Sequence, residues 1–431
     1  MGTKILVLSI AAWNSNVGMD TWPSLLAAKN PDEVANITLR GEKPDSDVCN
    51  NYFHLSENKV IKSILNRSLK TGSRVERVEN VDQPNEDLLQ HNKRYNKMKS
   101  RRSFITLMAR EILWTLGKWK TPELHDFITN FNPDVILYSM DGYIHFNRIC
   151  RYAKRISSAK SIGFFVDDNF TYKQSSKLGD KLFRVFQRHS LKKLSKQTDA
   201  FWAITEMTKK EADETFDINC TVLTKPIRNV NGELTTNTNK PFRILYTGNL
   251  MIGRDRSLVR LVNVLKKINE KEQNFIVDVY TKTFLSDEVK NAIECDCCHL
   301  HEPIPQKEVF ELQKQSDILL FLEDIDGPDA HTARLSFSTK ITDYLSSGRC
   351  IFAIGCSDTA PIQYFANNKA AIVASTDKEI ENGLLSILSD TNLLIEFAKN
   401  AQELGFKNHN KETILKIFDD VINQVLNKEV K

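Results

Sequence analysis

Apolar runs of strand length alternate with stretches of helical period along this chain, and the rhythm occurs twice, on either side of a polar break. In the first half, residues 4–10 (KILVLSI), 134–138 (DVILY), 161–166 (SIGFFV) and 200–204 (AFWAI) read as strands, with helical spacing in the gaps, as at 181–194. The runs are continuous rather than alternating, which marks strands covered on both faces and hence a parallel sheet. Lys225-Pro226 and residues 231–241 (NGELTTNTNKP) then have linker composition. The rhythm restarts with strands at 242–246, 275–280, 318–322, 350–354 and 371–374, and helices at 258–268, 309–315 and 339–347. An amphipathic helix at 412–425 ends the pattern. The expected fold is α/β, with two Rossmann-like domains facing a central cleft: residues 1–228 and 241–408, a linker at 229–240, and a C-terminal helix at 409–431 able to cross back to the first domain. A length of 431 residues suits two cores. Ligands of such folds bind where the carboxyl ends of the strands open.

Composition narrows the function classes. Hydrophobic residues make up 41% and charged residues 26%, ordinary for a globular protein. The net charge of +4 is too small to argue for nucleic acid, and no nucleic-acid motif accompanies the basic residues 93–102. The eight cysteines are scattered apart from Cys295, Cys297 and Cys298, so reduced thiols are expected. The short apolar run at 5–8 does not make a signal peptide, and no run reaches the length of a membrane span. A cytoplasmic protein is expected, able to work at the inner face of the membrane.

The segment 335–354 (LSFSTKITDYLSSGRCIFAI) carries the most chemistry. A strand feeds a long loop, and a helix follows with Ser338 or Thr339 near its N-cap. Lys340 stands in the first turn and Asp343 lies on the same face at i+3. Free N–H groups, the positive dipole end and a mobile cation suit a diphosphate. Asp343 can accept hydrogen bonds from ribose hydroxyls. Gly348 ends the helix.

Residues 338–348 resemble the SK-I-x-E-Y-L-x-x-G-(K/R)-P segment of GT-B glycosyltransferases that build capsular and surface polysaccharides. Asp343 stands where that family has Glu, Cys350 where it has Pro, and its earlier glutamate would fall near Leu335. Residues 246–254 (YTGNLMIGR) look like the family's strand–glycine–basic loop. The resemblance implies that Gly248 and Asn249 lie against the diphosphate and that Arg254 clamps phosphate bidentately. Residues 301–305 (HEPIP) resemble its turn beside the nucleobase, which implies a backbone role for Ile304. The match covers residues 242–375, and the first half in rhythm alone. It implies donor binding by Gly248, Asn249, Arg254, Ile304, Ser338, Thr339, Lys340 and Asp343, with a UDP- or GDP-linked sugar as substrate.

The first half is expected to hold a saccharide or lipid-linked acceptor. The loop after the first strand offers Asn14, Asn16 and Gly18. Asp141, Asp168 and His145 are candidates for the general base that an inverting enzyme needs; a retaining enzyme needs none. Residues 93–120 join a basic stretch to an apolar helical face, so the helix either rests on an anionic membrane or packs inward. No cofactor or metal is expected, because Lys340 and Arg254 supply the cations that stabilise the departing diphosphate. Asp324-Ile325-Asp326 has the letters of a metal-binding tripeptide but sits in the donor loop. Cys295, Cys297, Cys298, His299 and His301 crowd too closely for a structural zinc site and read as a chance cluster of thiols. The alternatives to transfer are a nucleotide-sugar epimerase of the same architecture and a small-ligand binding protein.

Overall fold

The computed structural model describes residues 2–14, 21–41, 43–78, 103–175, 177–227, 232–234 and 239–427. The chain forms two compact units. The first comprises Met1–Tyr172, Ser176–Leu223 and Leu415–Lys431; the second comprises Lys173–Ser175 and Thr224–Ile414.

The first unit is built on β1 (Ile5–Ser9), β2 (Val34–Thr38), β3 (Asn51–Leu55), β4 (Gly72–Val75), β5 (Val135–Ser139), β6 (Lys160–Phe165), β7 (Ala200–Ala203) and β8 (Cys220–Val222). Their order in the sheet is β4-β3-β2-β1-β5-β6-β7-β8, parallel throughout except for the β3/β4 pair. The second unit has β9 (Phe242–Thr247), β10 (Phe275–Tyr280), β11 (Cys298–His301), β12 (Ile318–Leu322), β13 (Cys350–Ile354) and β14 (Ile372–Ala374), all parallel, in the order β11-β10-β9-β12-β13-β14. Every residue of β1, β12 and β13 is buried, as their unbroken apolar runs require.

Strands β2, β3, β4, β8 and β11 escape a reading by apolar runs. β2 (VANIT) carries Asn36 into the core, where its amide donates to Val7 O and to Ser9 Oγ. β4 is a four-residue antiparallel edge with Ser73 and Arg74 exposed. The helix expected at 339–347 ends at Leu345, because Gly348 turns the chain with φ +74° and packs on the backbone of Gly232 and Glu233.

The second unit begins at Thr224, before the polar 229–240 segment, for an identifiable reason. Buried His409 joins Thr224 Oγ1 (2.6 Å), Lys225 O (3.0 Å) and Tyr364 Oη (2.7 Å), and its carbonyl accepts from Ile227 N. Burial pushes its imidazole down to about 4, so the ring is neutral and can accept as well as donate. From Leu415 onward the last helix, Lys411–Val425, belongs to the first unit, where Phe418 stacks on Trp202 (5.1 Å) and Asp419 pairs with Lys29 (2.5 Å).

Candidate functional site

Both sheets reverse direction once. In the second unit the reversal falls between β9 and β12, so the carboxyl ends of these strands open a crevice of the kind that takes ligands in open α/β sheets. The loops that leave them converge there.

β9 ends at Thr247 and gives way to Gly248, whose φ of +140° suits glycine alone. Gly248 N donates to Tyr280 O at the end of β10 (2.9 Å). A Cβ on Gly248 would meet Lys340 Nζ at 2.2 Å. The ammonium of Lys340 therefore lies directly against this glycine, and it sits 4.2 Å from the ring centroid of Tyr246. Ser338 caps the helix Thr339–Leu345 through Oγ, which accepts from Lys340 N. Thr339 is exposed, and Asp343 is half-buried one turn on. Burial lowers the Lys340 ammonium to about 7; Arg254 pushes the same way and Glu323 opposes.

Arg254 is bound within the protein rather than left open to solvent. Its Nη2 donates to both carboxylate oxygens of Glu323 (2.9 and 3.0 Å), Nε to Leu322 O (3.0 Å) and Nη1 to Asn249 Oδ1 (2.8 Å). Four of its hydrogen bonds are thus made within the protein, and the Nη2 edge expected to fork onto phosphate is taken by Glu323. Burial disfavours the charged guanidinium, but Glu323 more than offsets this and raises its pKa. Glu323, 4% exposed, directly follows β12. It is the residue that the sequence reading missed, because an acidic residue after an apolar run reads as the start of a solvated loop. Asn249, which is exposed, is oriented by the same arginine through its Oδ1.

The neighbouring acids have cations of their own. Asp324 pairs with Arg256 (2.6 Å) and Asp326 with Arg260 (2.9 Å), so the Asp-Ile-Asp tripeptide is split between two arginines. Ile304 borders a pocket of about 410 Å³ with Tyr280, Glu308 and Leu312. His301 stacks on Tyr280 (4.4 Å) and meets Asp278 through Nε2 (2.8 Å). Cys295 and Cys297 lie 3.3 Å apart, and burial pushes the Cys297 thiol up to about 12. Among the described residues no group of three or more His, Cys, Asp or Glu side chains could hold a metal ion.

In the first unit the sheet reverses between β1 and β5. Asp141 lies beyond β5, and Asp167 beyond β6 is close enough to act on it. Burial, with Asp167 adding, raises the Asp141 carboxyl to about 6; the N–H groups of Tyr143 and Gly142 and the charge of Arg40 oppose. Asp168 has a structural task of its own. It is fully buried and accepts from Thr171 N (2.9 Å) and Thr171 Oγ1, which makes it the anchor of its own loop. His145 is buried too, bound through Nδ1 to Glu111 (2.9 Å) and stacked on Trp114 (4.4 Å). Asn14 donates to Lys43 O (2.7 Å). Asn16 and Gly18 lie outside the described residues, as do residues 93–102 of the basic stretch.

A direct check on the donor crevice is Gly248→Ala. The new methyl would collide with Lys340 and the backbone would be strained by about 1–3 kcal/mol. Weaker binding of nucleotide diphosphate together with a lower unfolding temperature is expected; unchanged nucleotide affinity would remove this crevice from the donor site.

No protein-family model matches the chain, and no curated protein matches it. Solved structures do. The chain is similar to a glycosyltransferase from Rickettsia africae (13% identical, 99% of each chain covered, TM-score 0.59) and to HepE of Anabaena (11% identical, 98% of this chain and 100% of that one, TM-score 0.61). TarM of S. aureus matches at 11% identity and TM-score 0.54 over 70% of this chain, which spans 57% of TarM's length. At such identities the likeness is one of architecture. The fold of this chain is the two-domain α/β fold, GT-B, of these glycosyltransferases.

Proposed function

We propose that this protein is a glycosyltransferase that moves a sugar from a nucleotide-sugar donor to a saccharide or lipid-linked acceptor, in the synthesis of a surface polysaccharide. The observation that carries the proposal is the Lys340 ammonium held between Gly248 and Tyr246 at the switch point of the second unit. A cation fixed there meets the β-phosphate as the bond to the sugar breaks and negative charge grows. Asp343 takes the ribose, and the Ile304 pocket takes the base. Arg254 keeps Glu323 and Asn249 in position. HepE was solved with UDP and with UDP and glucose, which favours a UDP-linked donor here. No metal is required for this scheme.

On the acceptor side Asp141 replaces the trio first considered. A carboxylate at about 6 is still ionised at neutral pH, yet basic enough to take the proton of an attacking hydroxyl. The membrane part of the proposal rests on helix Phe104–Leu116, which buries Glu111 and Trp114 and leaves Ile105 75% exposed, with Ile112 and Leu116 also exposed. Its neighbour Leu178–Ser195 (Phe104 to Phe186, 6.5 Å) exposes Leu178, Leu182, Val185 and Phe186 at helical spacing, and this apolar side faces lipid. No described helix is long and apolar enough to cross a membrane.

Incubation with UDP- and GDP-linked sugars tests the reading through nucleoside diphosphate released only when an acceptor is present. Asp141→Asn should lower that turnover by about 10²-fold or more while UDP affinity stays within about twofold. Interconversion of free nucleotide sugars without acceptor would favour the epimerase instead.

A further inference from the structure

Helix Ile144–Ile156 of the first unit carries Arg148, Arg151, Tyr152 and Arg155 at i, i+3, i+4 and i+7, on one face. Trp119 and Lys120 stand across from them. Together they line a pocket of about 480 Å³, a volume within the range of small-ligand sites. The cations are laid against the aromatic rings. Arg148 is 5.5 Å from the Trp119 centroid, Arg155 is 5.6 Å from Tyr152, and Lys120 is 5.1 and 5.8 Å from the two. Trp119 and Tyr152 brace each other edge to face at 5.6 Å. Such contacts hold cations in place without neutralising them.

Their charge is left standing. Lys154, also on the pocket wall, is matched by Asp199 at 2.6 Å. Among the described residues none of Lys120, Arg148, Arg151 and Arg155 has a carboxylate within ion-pair distance. Arg148 Nη1 donates to Thr115 Oγ1, and Arg151 Nε is buried with no hydrogen-bond partner. The Arg148 guanidinium is depressed by burial, with Arg151 adding to the depression against the pull of Glu111. Crowded cations of one sign repel, and an anion spanning them relieves the repulsion.

The pocket is separate from the acceptor side. Asp141 precedes the helix, whereas Arg155 is in its last turn, about 20 Å away along the axis. Lys154 also reaches Ala159 O, just before β6, so this end of the helix lies at the amino ends of the strands. We infer that the pocket is a second ligand site, for a multiply charged phosphate-bearing anion gripped by the forks of Arg148, Arg151 and Arg155. It does not depend on the glycosyltransferase reading.

The test is calorimetric titration of the full chain with inorganic tripolyphosphate. Lys120→Gln/Arg155→Gln removes two exposed cations, so the fold is retained, and should weaken binding by about tenfold or more. Arg151→Gln should act in the same direction, and Lys340→Ala should leave this binding in place. Vesicles of phosphatidylcholine with and without phosphatidic acid separate the sources of phosphate. Sedimentation that needs phosphatidic acid and falls in the double variant assigns a lipid headgroup; tripolyphosphate binding without sedimentation assigns a soluble phosphate. If neither probe distinguishes the double variant from the wild type, or if tripolyphosphate binding disappears only in Lys340→Ala, the site does not exist.

Discussion

Arg254→Ala is expected to destabilise the second unit by about 3–5 kcal/mol, because it leaves the Glu323 carboxylate buried without its partner. For a unit of this size that is roughly a 10 °C fall in its unfolding temperature. Glu323→Ala should cost a similar amount by stranding the guanidinium. A double change to residues of similar volume, Arg254→Met with Glu323→Leu, should recover much of the loss, since removing both charges also removes the cost of desolvating them. The unfolding of the two units need not coincide, so the transition of the second unit has to be followed by itself. The result separates two roles for one residue. If Arg254 gripped phosphate, as its position in the sequence suggests, Arg254→Ala would weaken nucleotide binding and leave stability nearly unchanged. That outcome would overturn the pairing with Glu323 as its main work.

The same pair shows what a sequence of this kind reveals and where it stops. Unbroken runs such as ILLFL and CIFAI announce strands buried on both faces, and the two rounds of them give the architecture of both units. Shorter strands vanish when their core face includes a satisfied polar group, as with Asn36. Lys340 and Gly248 are legible separately, one by its place in a first turn and the other as a glycine after a strand. Their contact is not, because 92 residues part them and only the β9/β12 adjacency brings them together. Asp141, Asp168 and His145 look alike as polar residues near strand ends. Burial tells them apart: Asp168 is consumed by Thr171 and His145 by Glu111, while Asp141 faces a second acid across from β6.

Lys340→Ala should weaken UDP binding by about 1.5–3 kcal/mol, or roughly 10- to 150-fold, the scale of a hydrogen bond to a charged group. The loss in kcat/KM should be larger, because the charge that Lys340 meets increases as the sugar departs. A proton adds a sharper signature. With its ammonium at about 7 in the free protein, Lys340 is mostly neutral at pH 8. Bound diphosphate favours the ammonium form and raises that value, so binding at pH 8 should take up close to one proton, while binding at pH 6 should take up almost none. UDP affinity should accordingly be flat below pH 7 and fall by up to about tenfold per unit above it. The titration of the nucleotide itself is common to wild type and variant, so the difference between them isolates the lysine. Calorimetry in buffers of differing ionisation enthalpy measures the uptake directly. Lys340→Met should abolish the excess uptake, and Lys340→Arg, charged at every pH tested, should restore affinity in part without restoring the pH slope. An equal slope in wild type and Lys340→Met would mean that the ammonium between Gly248 and Tyr246 does not touch the diphosphate.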